Sequence, residues 1–201
     1  MFDWMNRHWI VTWSLAWGVA VTGLTISDVW SNPRHGPLWA AVVPGVAAWS
    51  IAGAGTLGRS RPVAGLAIWA ASYLLALQLG SLWSVWMVEQ RVGAGFLGGL
   101  YGWAVAGGAA ALTSALVAGW NWNPARPVLF SAIWAVGFFV AGYATVILGY
   151  LLGVFVPGWL LPALPFLAGA SGGAASGALG LWAWRILIEP SGGATELGLA
   201  R

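Results

Sequence analysis

The chain contains no cysteine, and none of its eight basic residues is a lysine. Without thiols there can be no disulfide, thiolate metal site, iron–sulfur cluster or cysteine nucleophile. Without a lysine amine there can be no retinal or pyridoxal Schiff base. Charge is scarce too. Charged residues make up 6% of 201 positions, where a soluble domain carries about 25%. So few ionised groups cannot solvate the surface of a water-soluble domain of this length. The 60% apolar content is the reverse of a disordered composition. The net charge of +3 comes from Arg residues scattered between apolar stretches, with no basic stripe, so nucleic acid is not an expected partner.

What the sequence does hold is long apolar runs. A helix needs about 20 apolar residues to cross a hydrocarbon core of about 30 Å. Runs of that kind cover roughly 9–27, 38–58, 63–88, 92–119, 127–156 and 160–188. The expected fold class is therefore all-α: a polytopic membrane bundle of six transmembrane helices, forming one domain over 1–189 with a polar, Gly-rich tail over 190–201. Arg counts on short connections set the orientation. With the N-terminus inside, Arg7, Arg59, Arg61, Arg126, Arg185 and Arg201 lie on the cytoplasmic side, against Arg34 and Arg91 opposite. N-in and C-in is the expectation, in the cell (inner) membrane. The first run lacks a small-residue cleavage site and reads as a retained helix. Pro162 and Pro165 either start the sixth helix or kink it.

Thirty Gly and seventeen Trp dominate what remains. Small residues let membrane helices approach closely, and Gly169, Gly173 and Gly177 have small-xxx-small spacing. Such faces suit helix packing, a homodimer or assembly into a membrane complex. Trp4, Trp9, Trp30, Trp120, Trp122 and Trp159 fall at span ends, where an aromatic belt explains them. Trp13, Trp17, Trp49, Trp69, Trp103 and Trp134 fall deeper. A deep indole must place its N–H, because an unpaired donor in hydrocarbon is costly. Those residues are expected either to bond a neighbouring helix or to line a cavity.

Catalytic chemistry finds little support. Gly169-Ala170-Ser171-Gly172 resembles the nucleophile motif of rhomboid intramembrane proteases, in which a His on a later helix activates the Ser. Here no His follows Ser171, and a buried Ser without a base is not a nucleophile. Ser171 and Ser176 therefore read as packing residues. The two His residues, His8 and His35, lack the number and spacing of a metal or haem site, so no metal is expected. No charge lies near a midplane, which disfavours proton pumping. Gln78 sits midway along the third span and is expected to bond a neighbouring helix or a ligand. The chain is expected not to be an enzyme.

The third span, from Tyr73 through Leu77, Leu79, Trp83 and Ser84, resembles the tryptophan-rich sensory protein (TspO, translocator protein) family, whose third helix reads roughly Tyr-x-x-Gln-Leu-x-Leu-Asn-x-x-Trp-Ser. Ala76 and Gly80 stand where that family has Gln and Asn. The second span is similar too, with Pro33, Pro37, Trp39, Pro44, Trp49, Gly53 and Gly55. The resemblance covers about residues 30–90. It implies a helical bundle that binds a porphyrin- or sterol-like molecule in a Trp-lined cavity, with Trp39, Trp49, Tyr73 and Trp83 as lining, and a tetrapyrrole as the candidate cofactor. Gln78 joins these as a polar contact.

A second pattern competes. Asn32-Pro33…Pro37-Leu38-Trp39 and Asn123-Pro124…Pro127-Val128-Leu129 introduce spans two and five. Leu82-Trp83…Glu89 and Leu181-Trp182…Glu189 close spans three and six. Three spans followed by three related ones form an inverted repeat, a transporter architecture. The functional expectation is a non-catalytic membrane protein that binds a hydrophobic aromatic ligand. The alternatives are the substrate-binding membrane subunit of a vitamin transporter, and a structural or pigment-supporting subunit of a larger complex.

Overall fold

In a computed structural model, residues 1–30, 39–56, 61–90, 95–118 and 124–187 are described. They form α1 (Phe2–Arg7), α2 (Trp9–Trp30), α3 (Trp39–Thr56), α4 (Pro62–Glu89), α5 (Gly95–Val117), α6 (Ala125–Phe155) and α7 (Leu164–Leu187), with a 3-10 turn over Gly158–Ala163 before α7. No strand occurs among the described residues. The chain is thus an all-α protein. Among the described residues, five helices are long and apolar enough to cross a membrane, and α3 carries a shorter apolar stretch, Val42–Gly55. Asn32, Pro33, Arg34, His35, Pro37, Leu38, Arg59, Arg91, Trp120, Trp122, Asn123, Glu189 and the tail lie outside the described residues, while Pro124, Pro127, Val128 and Leu129 of the second repeat motif lie at the start of α6.

Two helix starts follow directly from proline chemistry. Pro62 opens α4, where its missing N–H would be unsatisfied anyway. Pro162 sits in the 3-10 turn, and Pro165 is the second residue of α7. The two prolines therefore start the last helix and do not kink it. Pro44 lies inside α3, and Gly45 follows it. A Cβ on Gly45 would meet the Tyr73 side chain and lie 3.3 Å from the Ala20 Cα, so the bare backbone lets α2 and α4 close in on α3.

The helices form a closed ring. Each of α2 to α7 packs on its neighbour in sequence, and α7 packs back on α2. Short α1 lies against α3 and α2. Helices joined in sequence sit side by side because their connections are short. Closing the ring takes the glycines of α7. A Cβ on Gly169 would fall 2.9 Å from the Trp17 carbonyl oxygen, and one on Gly173 would fall 2.9 Å from the Ser14 Cα. Hydroxyls tie the same seam, with Ser14 Oγ donating to the Ala170 carbonyl at 2.6 Å. Across the α5–α6 seam, Ser131 Oγ donates to the Gly108 carbonyl at 2.7 Å.

The ring is sorted by residue type. Aliphatic side chains such as Val63, Leu74, Val85, Val136, Val140 and Val154 are exposed on its outer wall. The core holds aromatic residues together with Ala and Gly. Lipid tails are as apolar as leucine, so the hydrophobic effect gives the aliphatics no reason to turn inward. Flat rings and small residues gain instead from close contact with each other.

Candidate functional site: an aromatic lumen with a small cup

Aromatic residues enter the lumen of the ring in three tiers. Beside Trp9 stand Trp184, with ring centroids 6.4 Å apart, and Phe130, whose ring lies 5.8 Å from Trp184. One helical turn on, Trp13 meets Trp69 at 4.9 Å and Trp134 at 5.5 Å. A further turn on, Trp17 meets Trp49 at 5.3 Å, Trp103 at 5.7 Å and Phe138 at 5.1 Å. Tyr73 joins this third tier, 5.5 Å from Trp49 and 5.4 Å from Trp103. Spacing explains the tiers. Trp9, Trp13 and Trp17 recur every four residues, as do Phe130, Trp134 and Phe138, and Trp69 and Tyr73 are four apart. Residues at that interval share one helix face.

Many of these pairs cross at 60–81°, the edge-to-face arrangement that aromatic quadrupoles favour. Glycines make room for the rings. A Cβ on Gly107 would fall 2.7 Å from a Phe138 ring carbon, one on Gly180 would fall 2.7 Å from a Trp134 ring carbon, and one on Gly53 would collide with the Trp69 indole. The abundance of Gly and the abundance of Trp are thus two sides of one packing solution.

The six deep tryptophans all join this cluster, and so does Trp9. Trp9 was expected at the headgroup belt but is 4% exposed, because its position extends the Trp13–Trp17 face by one turn. Trp4 and Trp159 are exposed. The indole N–H groups depart from expectation. Trp13 Nε1 donates to Ser176 Oγ at 3.1 Å, but Nε1 of Trp9, Trp17, Trp49, Trp69 and Trp134 is buried with no hydrogen-bond partner. Edge-to-face packing offers such donors the π face of a neighbouring indole.

Ser176 is buried and passes its own proton to the Gly173 carbonyl at 3.2 Å. It is a packing residue, as expected. Ser171 is not: it is exposed and donates to Leu167 of its own helix at 2.9 Å. Ser176→Ala strips the acceptor from the Trp13 indole. It is expected to cost about 1 kcal/mol, the scale of an interhelical hydrogen bond in lipid, read as a lower midpoint in denaturant titration of the protein in bicelles.

Beside the third tier lies a cavity of about 150 Å³. Trp17, Trp49 and Trp103 form its floor, and Ala20 and Thr145 stand on its wall. Leu24, Leu100 and Val146 stand further toward the end of the ring where α2 finishes and α5 begins. Thr145 commits its proton to the Ala141 carbonyl at 2.8 Å. Tyr73 Oη donates to the Ala20 carbonyl at 3.4 Å, which ties α4 to α2 next to this cup. The lining offers a flat, electron-rich, mostly apolar surface and no ionised group.

Of the five site residues expected from sequence, the structure brings two together. Trp49 and Tyr73 are fully buried neighbours, and Trp49 lines the cup. Gln78 is exposed on the outer wall. Five residues beyond Tyr73, at about 100° per residue, it is turned about 140° away from the lumen. Trp83 is 38% exposed and packs on Tyr101 at 5.5 Å. It belongs to a separate lateral groove of about 340 Å³ with Trp86 and Met87. The Trp39 side chain lies outside the described residues. Trp49 is the one expected site residue that lines the cup; its other two floor indoles, Trp17 and Trp103, were not in the expected set. The signal that would have found Trp17 is the four-residue aromatic interval on α2. No group of three or more His, Cys, Asp or Glu comes together among the described residues.

No family model, no curated protein and no solved structure matches the chain.

Proposed function

We propose that the chain is a six-span membrane protein, N-in and C-in, whose aromatic lumen binds a compact, neutral aromatic ligand without transforming it. The observation that carries this reading is the cup: a cavity of about 150 Å³ floored by three indoles and walled by aliphatic and small side chains. A cavity of that size and polarity takes a benzene-sized guest. It falls short of the roughly 300–1,000 Å³ of sites that enclose drug-sized ligands. A one-ring aromatic therefore fits as the cup stands, whereas the porphyrin or sterol that the sequence resemblance implies requires the third tier to open. The partners in this reading are the bilayer and that small molecule.

The expected result is a saturable chemical-shift change in fluorine NMR when fluorobenzene is titrated into the protein in bicelles. Ala20→Phe, which fills the cup from α2, should abolish the saturable part and leave only partitioning into the bicelle. Equal, non-saturable signals from both proteins would reject the reading.

A second reading has its own support. Apart from the half-buried Trp103 and Trp184, the lumen rings are buried in the core cluster, as they would be in a structural subunit whose aromatics serve only assembly. Under that reading fluorobenzene does not saturate, and the chain purifies as part of a larger membrane complex.

A further inference from the structure

The cup and the tiers beneath it have different depths in the ring, and the difference has a functional meaning. The cup is lined by the later turns of α2 and α6 and the early turns of α5. On its lower side stands the floor of Trp17, Trp49 and Trp103, with Phe138 against Trp17 and Trp49. Below this floor come the Trp13, Trp69 and Trp134 tier and then Trp9 with Trp184. Trp13, Trp49, Trp69 and Phe138 are no more than 1% exposed. Three successive layers of interlocked rings thus fill the half of the lumen nearer the chain's first residues. Toward the other end, the cup residues are aliphatic: Leu24, Leu100 and Val146.

We infer that the lumen is a blind cup, loaded and emptied only from the end of the ring that carries Leu24 and Phe155, with the tryptophan tiers as a permanent plug. This rests on the ligand-binding reading above and deepens it. A blind cup makes the chain a receptor or a storage site for a small aromatic held on one face of the membrane. It does not make the chain a conduit that passes that molecule across. The packing supports a fixed plug. Trp13 alone contacts Trp49, Trp69, Trp134 and Phe138 and is held by Ser176 of α7. Swinging it aside would break contacts to four helices at once, and close-packed interiors do not deform continuously.

The absence of native cysteine allows the test in the full chain. Ala20→Cys places a nearly isosteric thiol in the cup, and Leu24→Cys places one farther toward its mouth. Trp4→Cys and Phe155→Cys, at exposed positions (47% and 81%), mark the two ends of the ring. Each variant is reconstituted in vesicles and treated with a membrane-impermeant, cationic methanethiosulfonate, first from outside only and then from both sides. The expected result is that Ala20→Cys and Leu24→Cys label with the sidedness of Phe155→Cys and at least tenfold less from the face that labels Trp4→Cys. Labelling of Ala20→Cys from the Trp4 face would overturn the plug, and labelling of neither Ala20→Cys nor Leu24→Cys from either face would overturn the open mouth. Fluorobenzene is added as a separate arm. One-sided labelling that fluorobenzene does not slow leaves the blind cup standing while rejecting the ligand reading, so the two fail by different results.

Discussion

Gly102→Ala is expected to destabilise the folded bundle by about 3 kcal/mol, the upper range for overpacking a well-filled interface. A Cβ at that position would lie 2.7 Å from the Gly80 Cα and 2.9 Å from the Ala76 carbonyl oxygen. Both are backbone atoms of α4, so no side-chain rotation relieves the clash and the two helices must part. Gly98 repeats the arrangement one turn away, where a Cβ would fall 2.6 Å from the Trp83 carbonyl carbon. Parting α4 from α5 also removes Trp103 from its place between Trp49 and Tyr73. The effect should therefore appear in near-ultraviolet circular dichroism of the tryptophans as well as in the unfolding midpoint. Gly99→Ala is the control. It sits on the same helix, yet a Cβ there meets nothing within 4 Å. It should leave the midpoint unchanged or raise it slightly, because Ala favours helix over Gly. Equal effects at 99 and 102 would show that helix propensity, and not backbone contact, governs the seam.

The second large effect is expected at Trp13. Trp13→Ala should cost about 3–5 kcal/mol, the usual range for truncating a buried large aromatic. In a membrane the cause is not loss of hydrophobic transfer, since lipid is as apolar as the core. It is loss of dispersion contacts on all sides of the ring, together with the cavity left behind. Trp13 touches Trp49, Trp69, Trp134 and Phe138, so the hole opens at the centre of the plug. Trp13→Phe should lose far less, about 1–2 kcal/mol, because most ring contacts survive while the bond to Ser176 is lost. Indole added to Trp13→Ala should restore part of the lost midpoint by filling the cavity, much as apolar guests enter engineered voids. A cost of Trp13→Ala below about 1 kcal/mol would mean that the tiers repack freely, and the plug could not then be a fixed barrier.

The structure also explains why only part of the site was legible beforehand. The apolar runs were readable because charge and proline punctuate them: Arg61 before α4 and Pro62 at its first position, Glu89 at its end, Pro157 and Pro162 before α7. Which face of each helix turns inward was not readable from hydropathy, since the helices are apolar on every side. The inward face is marked by residue size and shape. Tyr73 and Trp69 share it through their spacing of four, whereas Gln78, the amide midway along the span, falls on the outer wall. Trp83 has the register of the family-like motif but turns toward Tyr101.

Sequence alone marked this as a helical chain suited to a membrane, because unbroken apolar runs of about 20 residues satisfy their backbone polar groups in lipid as helices, whereas a barrel is built from shorter, alternating strands. It also marked the apolar runs from which α2 to α7 are built. Closure of α2 to α7 into a ring, and convergence of the indoles into tiers that fill most of the lumen, were decided only in three dimensions. Both depend on which glycine of one helix lies opposite which ring of another. That pairing joins residues as distant as Trp13 and Gly177, or Trp134 and Gly180, and no local pattern along the chain encodes it.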